Sequence, residues 1–344
     1  MRYFLILFAL LNNGTLLSAA NIQVTKDEET GWKIFTLSHG ATVVKIVPAA
    51  GANVMSIQEG GVEFFHQPKK LSDLPGVGYG NPILYPMPNR VKGAKFTFDD
   101  QDFNFPTNGR GNFIHGLVNR QPFDVERMKV ADDKVALTLS VDFDQVDSLK
   151  ELFPVAHKFY MTITVSAGRV RWEYKVENNE ESKRLPFGVA LHPYFVYQGE
   201  RSETYLTIPA THLMKSERQL PSGELIAAAD LDYALKEPLC MASLKLDDVF
   251  FGLSNEETTL IDFRDKKRQV IIHASDEFTH LVVWTPDRPY FGVESQTCST
   301  DAHNLHAAGK KEVAHLQICD PGKSMTGWVE YELKIDTEKD DPAE

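Results

Sequence analysis

Residues 159–176 read FYMTITVSAGRVRWEYKV, and this stretch decides the class of fold. Apolar and polar residues alternate through both of its halves, which is the period-two pattern of half-buried β-strands. Ala167-Gly168 separates the two halves and predicts the turn of a β-hairpin. The alternation is repeated upstream, where Val135, Leu137, Leu139 and Val141 are interleaved with Ala136, Thr138 and Ser140. The sequence therefore predicts a run of strands that each present one apolar face.

Shorter apolar segments extend this pattern over the rest of the chain. They predict strands near residues 95–98, 270–273, 280–284 and 327–335, and one short helix at residues 145–152, before Pro154. Many short strands joined by loops indicate an all-β sandwich or barrel. Because no change in composition marks a linker, we expect a single domain at residues 21–335, followed by a charged tail at residues 336–344.

Composition excludes several classes of function. The net charge of the 344-residue chain is −12, whereas nucleic-acid-binding surfaces are usually basic. The three cysteines form no CxxC pair and no Cys/His cluster at metal-ligand spacing; one disulfide among them stays possible. The chain also contains neither a glycine-rich phosphate loop nor a GxSxG elbow. We therefore expect no metal, no organic cofactor and no nucleic-acid partner.

The first twenty residues have the layout of a secretory signal peptide. Arg2 supplies a positive start, residues 3–11 are nearly all apolar, and Ser18-Ala19-Ala20 offers small residues for cleavage after Ala20. Residues 12–14 (NNG) interrupt the apolar run, which argues against a membrane anchor and against the alternative of a buried first strand. We expect residues 1–20 to be removed and the protein to be periplasmic or secreted.

Three separate segments supply groups that can transfer protons. Glu294 lies in residues 291–297 (FGVESQT), His192 in residues 191–195 (LHPYF) and His115 in residues 112–116 (NFIHG). A carboxylate and a histidine facing one another can move protons on and off a neutral substrate. Taken singly, each residue has an ordinary interpretation, as a surface carboxylate, a packed histidine and a loop histidine respectively.

Other polar residues are suited to bind a sugar. Asn89-Arg90 follows a proline-rich run, and the Arg90 guanidinium offers several donors in a fixed geometry. Asp247-Asp248 precedes an apolar pair and offers acceptors for paired hydroxyls. The alternatives are a structural ion pair for Arg90 and a solvated turn for the two aspartates.

Together these segments resemble the aldose 1-epimerase (galactose mutarotase) family over residues 40–335. The resemblance implies a large antiparallel β-supersandwich and a small-molecule sugar substrate. It implies that Glu294 is the general base and His192 the general acid, with His115 assisting at the ring or its hydroxyls. The sugar would be positioned by Arg90, Asn89 and Asp247, although Asp248 remains an alternative to its neighbour. The matching segments are residues 80–83, 89–90, 112–116, 191–195, 246–250, 292–297 and 301–304.

The expected reaction is interconversion of the α and β anomers of a free aldohexose by ring opening and closure. A second hypothesis is epimerisation of a hexose 6-phosphate, for which Arg90, Lys92, Arg110 and Arg120 are candidate phosphate ligands. A third is a non-catalytic carbohydrate-binding protein on the same scaffold. The identity of the sugar, and the choice between monomer and homodimer, stay open.

Overall fold

The computed structural model describes residues 20–336, in which antiparallel β-sheets dominate. The predicted signal peptide and C-terminal tail therefore lie outside the described residues, apart from Ala20 and Asp336. The largest sheet has nine strands, in the spatial order Asp124–Val130, Val135–Asp142, His157–Ser166, Arg169–Asn178, Ser324–Ile335, Arg268–Ala274, Thr259–Phe263, Thr204–Thr207 and Leu239–Cys240.

The hairpin predicted from residues 159–176 lies in this sheet. His157–Ser166 pairs antiparallel with Arg169–Asn178, and Ile163 lies opposite Trp172. Every second residue of His157–Ser166 is buried, because successive side chains of a strand point to opposite faces. The buried face belongs to the main hydrophobic core, so the alternation predicted both the strands and the direction in which they face.

The second large sheet carries most of the site described below. Its central strands are His280–Trp284 and Tyr290–Gln296, which pair antiparallel with Val282 opposite Glu294. The sheet runs in the order Leu220–Ala227, His212–Glu217, Asp247–Phe251, His280–Trp284, Tyr290–Gln296, Ala190–Leu191 and Ile83–Leu84, with Phe195–Val196 also paired to Tyr290–Gln296.

Smaller elements complete the fold. A five-stranded sheet contains Asn21–Lys26, Lys33–His39, Thr42–Val47, Asn53–Glu59 and Val62–Glu63. Three strand pairs are formed by Arg90–Val91 with Phe113–Ile114, Lys95–Phe98 with Gln101–Asn104, and Leu185–Phe187 with Gln317–Cys319. The α-helices are Asp147–Leu152, Ala302–Ala307 and Lys311–Ala314, and the 3₁₀ turns are Pro48–Ala50, Leu71–Asp73, Lys92–Ala94, Arg201–Glu203, Ala228–Asp230 and Arg264–Lys266.

The two large sheets pack through their apolar faces. The ring centroid of Phe195 lies 5.6 Å from that of Tyr331, and the ring of Phe291 lies 6.5 Å from that of Phe263. Burial of each such side chain typically contributes about 1.5–3 kcal/mol to folding. This packing of antiparallel sheets confirms the predicted all-β sandwich.

The boundaries of several elements differ from the sequence-based expectation; the strand expected near residues 270–273, for example, spans Arg268–Ala274. The helix predicted at residues 145–152 begins at Asp147, because Val146 has an extended backbone with φ −109° and ψ 105°. The last strand begins at Ser324 rather than residue 327, because it pairs along the whole of Arg169–Glu177 in the neighbouring strand. In the described part of the chain, no helix combines the length and apolar character required to cross a membrane.

Candidate active site

Glu294 lies within the strand Tyr290–Gln296 and is 2% exposed. Its side chain lies on the same side of the sheet as Gln296, since residues two apart share a face of a strand. The amide Nε2 of Gln296 donates a hydrogen bond of 3.2 Å to Oε2 of Glu294. The sheet therefore holds a carboxyl group in a buried position, with one oxygen engaged by a neighbour.

His192 follows the strand Ala190–Leu191, and its backbone N–H donates to the carbonyl of Pro82 at 3.0 Å. Its ring stacks on Tyr194, with centroids 4.8 Å apart and planes 9° apart. In this orientation Nε2 of His192 lies 3.4 Å from Oε1 of Glu294. The structure thus brings together the predicted base, within one strand of the sheet, and the predicted acid, which directly follows a neighbouring strand.

His115 reaches the same place from a loop. Its ring centroid lies 5.1 Å from that of His192, in an edge-to-face arrangement. The backbone of His115 has φ +73°, and its N–H donates to the carbonyl of Asn89 at 2.8 Å. At Gly116, also at positive φ, a Cβ would collide with the backbone of Tyr85. Glycine at this position therefore lets the loop that carries His115 pack closely against the backbone of Tyr85.

Arg90 is held by a network of hydrogen bonds at the edge of the site. Its Nη1 donates to Oδ1 of Asn89 at 2.9 Å, and its Nη2 donates to Oε1 of Gln219 at 2.6 Å. The Gln219 amide nitrogen in turn donates to Oδ2 of Asp247. The carbonyl of Arg90 accepts a 2.8 Å hydrogen bond from the backbone of Asp301, which fixes the strand from which the guanidinium projects.

All six residues predicted for the site line one cavity of about 190 Å³: Asn89, Arg90, His115, His192, Asp247 and Glu294. Ile114, Tyr194, Val282 and Trp284 complete its wall. Asp248 does not line the cavity, because its side chain points to the opposite face of the strand from Asp247.

The aromatic residues near the predicted base and acid divide between the cavity and the core. Tyr194 lines the cavity, whereas Phe195 and Phe291 are fully buried in the core. Sequence reasoning did not assign Trp284 to the site. The available signal was strand pairing, since Trp284 lies opposite Gly292 and two residues from Val282, which faces Glu294.

Burial shifts the acid–base groups toward their neutral forms. Burial, with a further contribution from the nearby Asp247 carboxylate, raises the pKa of Glu294 to about 8, against opposing effects of Gln296 and Arg90. Burial lowers the pKa of His192 to about 4. Burial and the neighbouring His192 and Arg90 place the pKa of His115 well below its ordinary value. At neutral pH these shifts therefore favour a protonated Glu294 and a neutral His192.

The roles expected for the pair, a Glu294 base and a His192 acid, require an ion pair of a carboxylate and an imidazolium, whereas burial favours the neutral form of each group. The neutral pair differs from that ion pair only by transfer of one proton across the 3.4 Å gap. The arrangement can therefore give a proton from one group and accept a proton on the other.

The cysteines do not line the cavity. Cys240, Cys298 and Cys319 are free thiols, so no disulfide joins them. Among residues 20–336, no three His, Cys, Asp or Glu side chains gather in a metal-binding group.

Comparison with known proteins places the chain in a family. A family model described as aldose 1-epimerase matches residues 33–332. The chain is 24% identical over 232 residues to Protein LacX (chromosomal) of Lactococcus lactis subsp. lactis, covering 62% of this chain and 72% of that protein. It is 25% identical over 167 residues to galactose mutarotase of Rattus norvegicus, covering 47% of this chain and 46% of that protein.

A solved structure shows the same fold. A galactose mutarotase-like protein from Clostridium acetobutylicum superposes with a TM-score of 0.82 at 23% sequence identity, covering 92% of this chain and 99% of that chain. The family match spans all six residues predicted for the site. The chain belongs to the aldose 1-epimerase family.

Proposed function

We propose that this protein is an aldose 1-epimerase that interconverts the α and β anomers of a free aldohexose. The observation that carries the proposal is the 3.4 Å approach of Nε2 of His192 to Oε1 of Glu294 in the wall of a small cavity. General acid–base chemistry needs two such groups within reach of one substrate.

The reaction requires two proton movements and no change in oxidation state. The Glu294 carboxylate accepts the proton of the C1 hydroxyl while the His192 imidazolium donates a proton to the ring oxygen. The C1–O bond of the ring breaks, and the electron pair of the O–H bond forms the aldehyde. Rotation about C1–C2 presents the other face of the carbonyl, and the reverse transfers close the ring as the opposite anomer.

The electrostatics of the cavity favour the protonation states that the pair has when the sugar ring is open. When the ring has opened, Glu294 carries a proton and His192 is neutral. Burial favours the same pair of forms, since it disfavours either charge. Arg90 opposes burial by favouring the Glu294 carboxylate, which the ring-closed sugar requires. The two influences keep both protonation states of the pair accessible.

The size and charge of the cavity support a single unphosphorylated sugar. Its volume of about 190 Å³ is below the ~300–1,000 Å³ typical of sites for drug-sized ligands. Of the four cations considered for a phosphate group, only Arg90 lines the cavity. Lys92 lines a neighbouring groove, and the guanidinium of Arg120 lies against Gly76. The remaining cation, Arg110, is exposed.

The proposal is tested by polarimetry on freshly dissolved single anomers. Faster equilibration of α-D-galactose or α-D-glucose by the purified protein supports it, and galactose is tested first because the rat relative is a galactose mutarotase. If the protein accelerates equilibration only of a hexose 6-phosphate, and inorganic phosphate inhibits competitively, the substrate is the phosphorylated sugar and not the free one. Calorimetric binding of a sugar without any acceleration would indicate a binding protein instead.

A further inference from the structure

The hairpin that joins His212–Glu217 to Leu220–Ala227 has an unusual turn. Both of its central residues, Arg218 and Gln219, have positive φ, at +51° and +65°. Two-residue hairpin turns of this kind strongly prefer Asn-Gly, Asp-Gly or Gly-Gly, because other side chains are strained there. Such strain persists where surrounding contacts impose it, and it is concentrated at functional sites.

The turn places the Gln219 side chain between two residues of the site, and the side chain forms a hydrogen bond with each of them. Its Oε1 accepts a 2.6 Å hydrogen bond from Nη2 of Arg90, and its Nε2 donates to Oδ2 of Asp247. A side-chain amide can present an acceptor to a guanidinium and a donor to a carboxylate from one planar group. The side chain is partly buried between two charged residues that line the cavity.

The amide also keeps opposite charges apart. Within residues 20–336, no ion pair joins Arg90 directly to Asp247, and Gln219 lies between them. A direct ion pair would occupy the donors and acceptors that two sugar hydroxyls need. With the amide in place, each charged group uses one hydrogen-bonding position on Gln219 and keeps others for a ligand.

We propose that Gln219 is a positioning residue of the sugar site, holding Arg90 and Asp247 apart and oriented toward the substrate. The assignment of a sugar as the ligand rests on the proposed function. The role of Gln219 acts through two other residues and involves no proton transfer of its own. Its removal is therefore expected to weaken sugar binding and to leave the chemical step largely intact.

The kinetic test compares Gln219→Met with Arg218→Met. Both variants alter one positive-φ position of the same turn, but only the first removes the two hydrogen bonds. We expect Gln219→Met to raise KM about 10-fold, the equivalent of one hydrogen bond to a charged group, with kcat nearly unchanged. Arg218→Met should retain both constants. In an Asp247→Ala background, Gln219→Met should raise KM by a much smaller factor, because the effects of substitutions at coupled residues are not additive.

Two kinetic outcomes would overturn the proposal. One is an unchanged KM in Gln219→Met. The other is a rise in KM that is equally large in the presence and in the absence of the Asp247 carboxylate. A parallel crystallographic comparison of sugar-free wild type and Gln219→Met needs no activity. We expect Arg90 and Asp247 to close into a direct ion pair in the variant, within about 4 Å. Unchanged positions would overturn the role of Gln219, whereas a wild type inactive on every aldose would overturn only the proposed function.

Discussion

Nε2 of His192 lies 3.4 Å from Oε1 of Glu294, and the two residues are only 5% and 2% exposed. Water therefore has little access to either group, and this burial is the main cause of the raised pKa of Glu294 and the lowered pKa of His192. The pair acts as one unit that carries zero, one or two protons. Only the form with one proton contains both a base to accept the C1 proton and an acid to protonate the ring oxygen.

The pH dependence of activity follows from this proton count. Because the pKa of His192 is lowered to about 4 and that of Glu294 is raised to about 8, the pair holds one proton between those values. We expect kcat/KM to be highest in this window, to fall at lower pH as the base is lost, and to fall at higher pH as the acid is lost. The measurement is polarimetry with the uncatalysed rate subtracted at each pH. Activity that rises steadily through pH 9 would contradict the assignment.

Burial of Glu294 also predicts a pH-dependent effect of Glu294→Gln on stability. The pKa of Glu294 is raised from 4.5 to about 8, so the folded protein keeps a proton that the unfolded chain loses in that window. This group's contribution to stability is therefore present below pH 4.5 and is lost as pH rises toward 8. Glutamine does not titrate, so the stability of the variant relative to wild type should increase from pH 5 to pH 8.

Denaturant unfolding of the two proteins across that range tests the point. His192 is present in both proteins, so its opposite contribution largely cancels in the comparison. A difference in unfolding free energy that stays constant from pH 5 to pH 8 would show that the Glu294 pKa is not raised.

Arg90 is expected to matter through its geometry as well as its charge. Its guanidinium donates to Asn89 and Gln219 from two nitrogens, whereas a lysine ammonium donates from one. We expect Arg90→Lys to lower kcat/KM about 10-fold, corresponding to roughly one charged hydrogen bond. Arg90→Met should in addition move the alkaline limb of the pH profile upward, because Arg90 lowers the pKa of Glu294. Arg120→Lys, at a position that does not line the cavity, serves as the control and should match wild type.

Export remains a proposal that rests on residues 1–20 alone. We propose that these residues are a signal peptide and that the mature protein is periplasmic or secreted. Intact mass and N-terminal sequencing after expression in a Gram-negative host should give a chain that begins at Asn21. Substitution of Ala20 by arginine, a large residue at the expected cleavage site, should block processing. An exported protein that retains Met1 would contradict this reading.

Much of the fold was predictable because its main signal is local. Alternation in residues 159–176 identifies two strands, their turn and their buried faces without any knowledge of distant contacts. The candidate site was predictable only with the family resemblance, since Arg90, His192 and Glu294 are far apart in sequence. The structure brings them to one cavity, and their individual roles remain predictions.

The remaining features depend on tertiary structure. Gln219 contacts Arg90 and Asp247, which lie 129 and 28 positions away in the sequence, and no local sequence pattern predicts those contacts. The neutral forms favoured for Glu294 and His192 arise from burial, which the sequence around each residue does not specify. The preference for the neutral pair over the ion pair could therefore not be predicted from the motifs alone.

The most direct test of the account is the rate of anomer exchange by wild type and Glu294→Gln at neutral pH. Glutamine keeps the size of the side chain but cannot accept the C1 proton. Correctly placed acids and bases typically contribute ~10²–10⁴-fold to rate, so we expect kcat to fall by about that factor in a variant that remains folded. A folded Glu294→Gln protein with kcat within about 3-fold of wild type, far inside that range, would contradict the central role of Glu294.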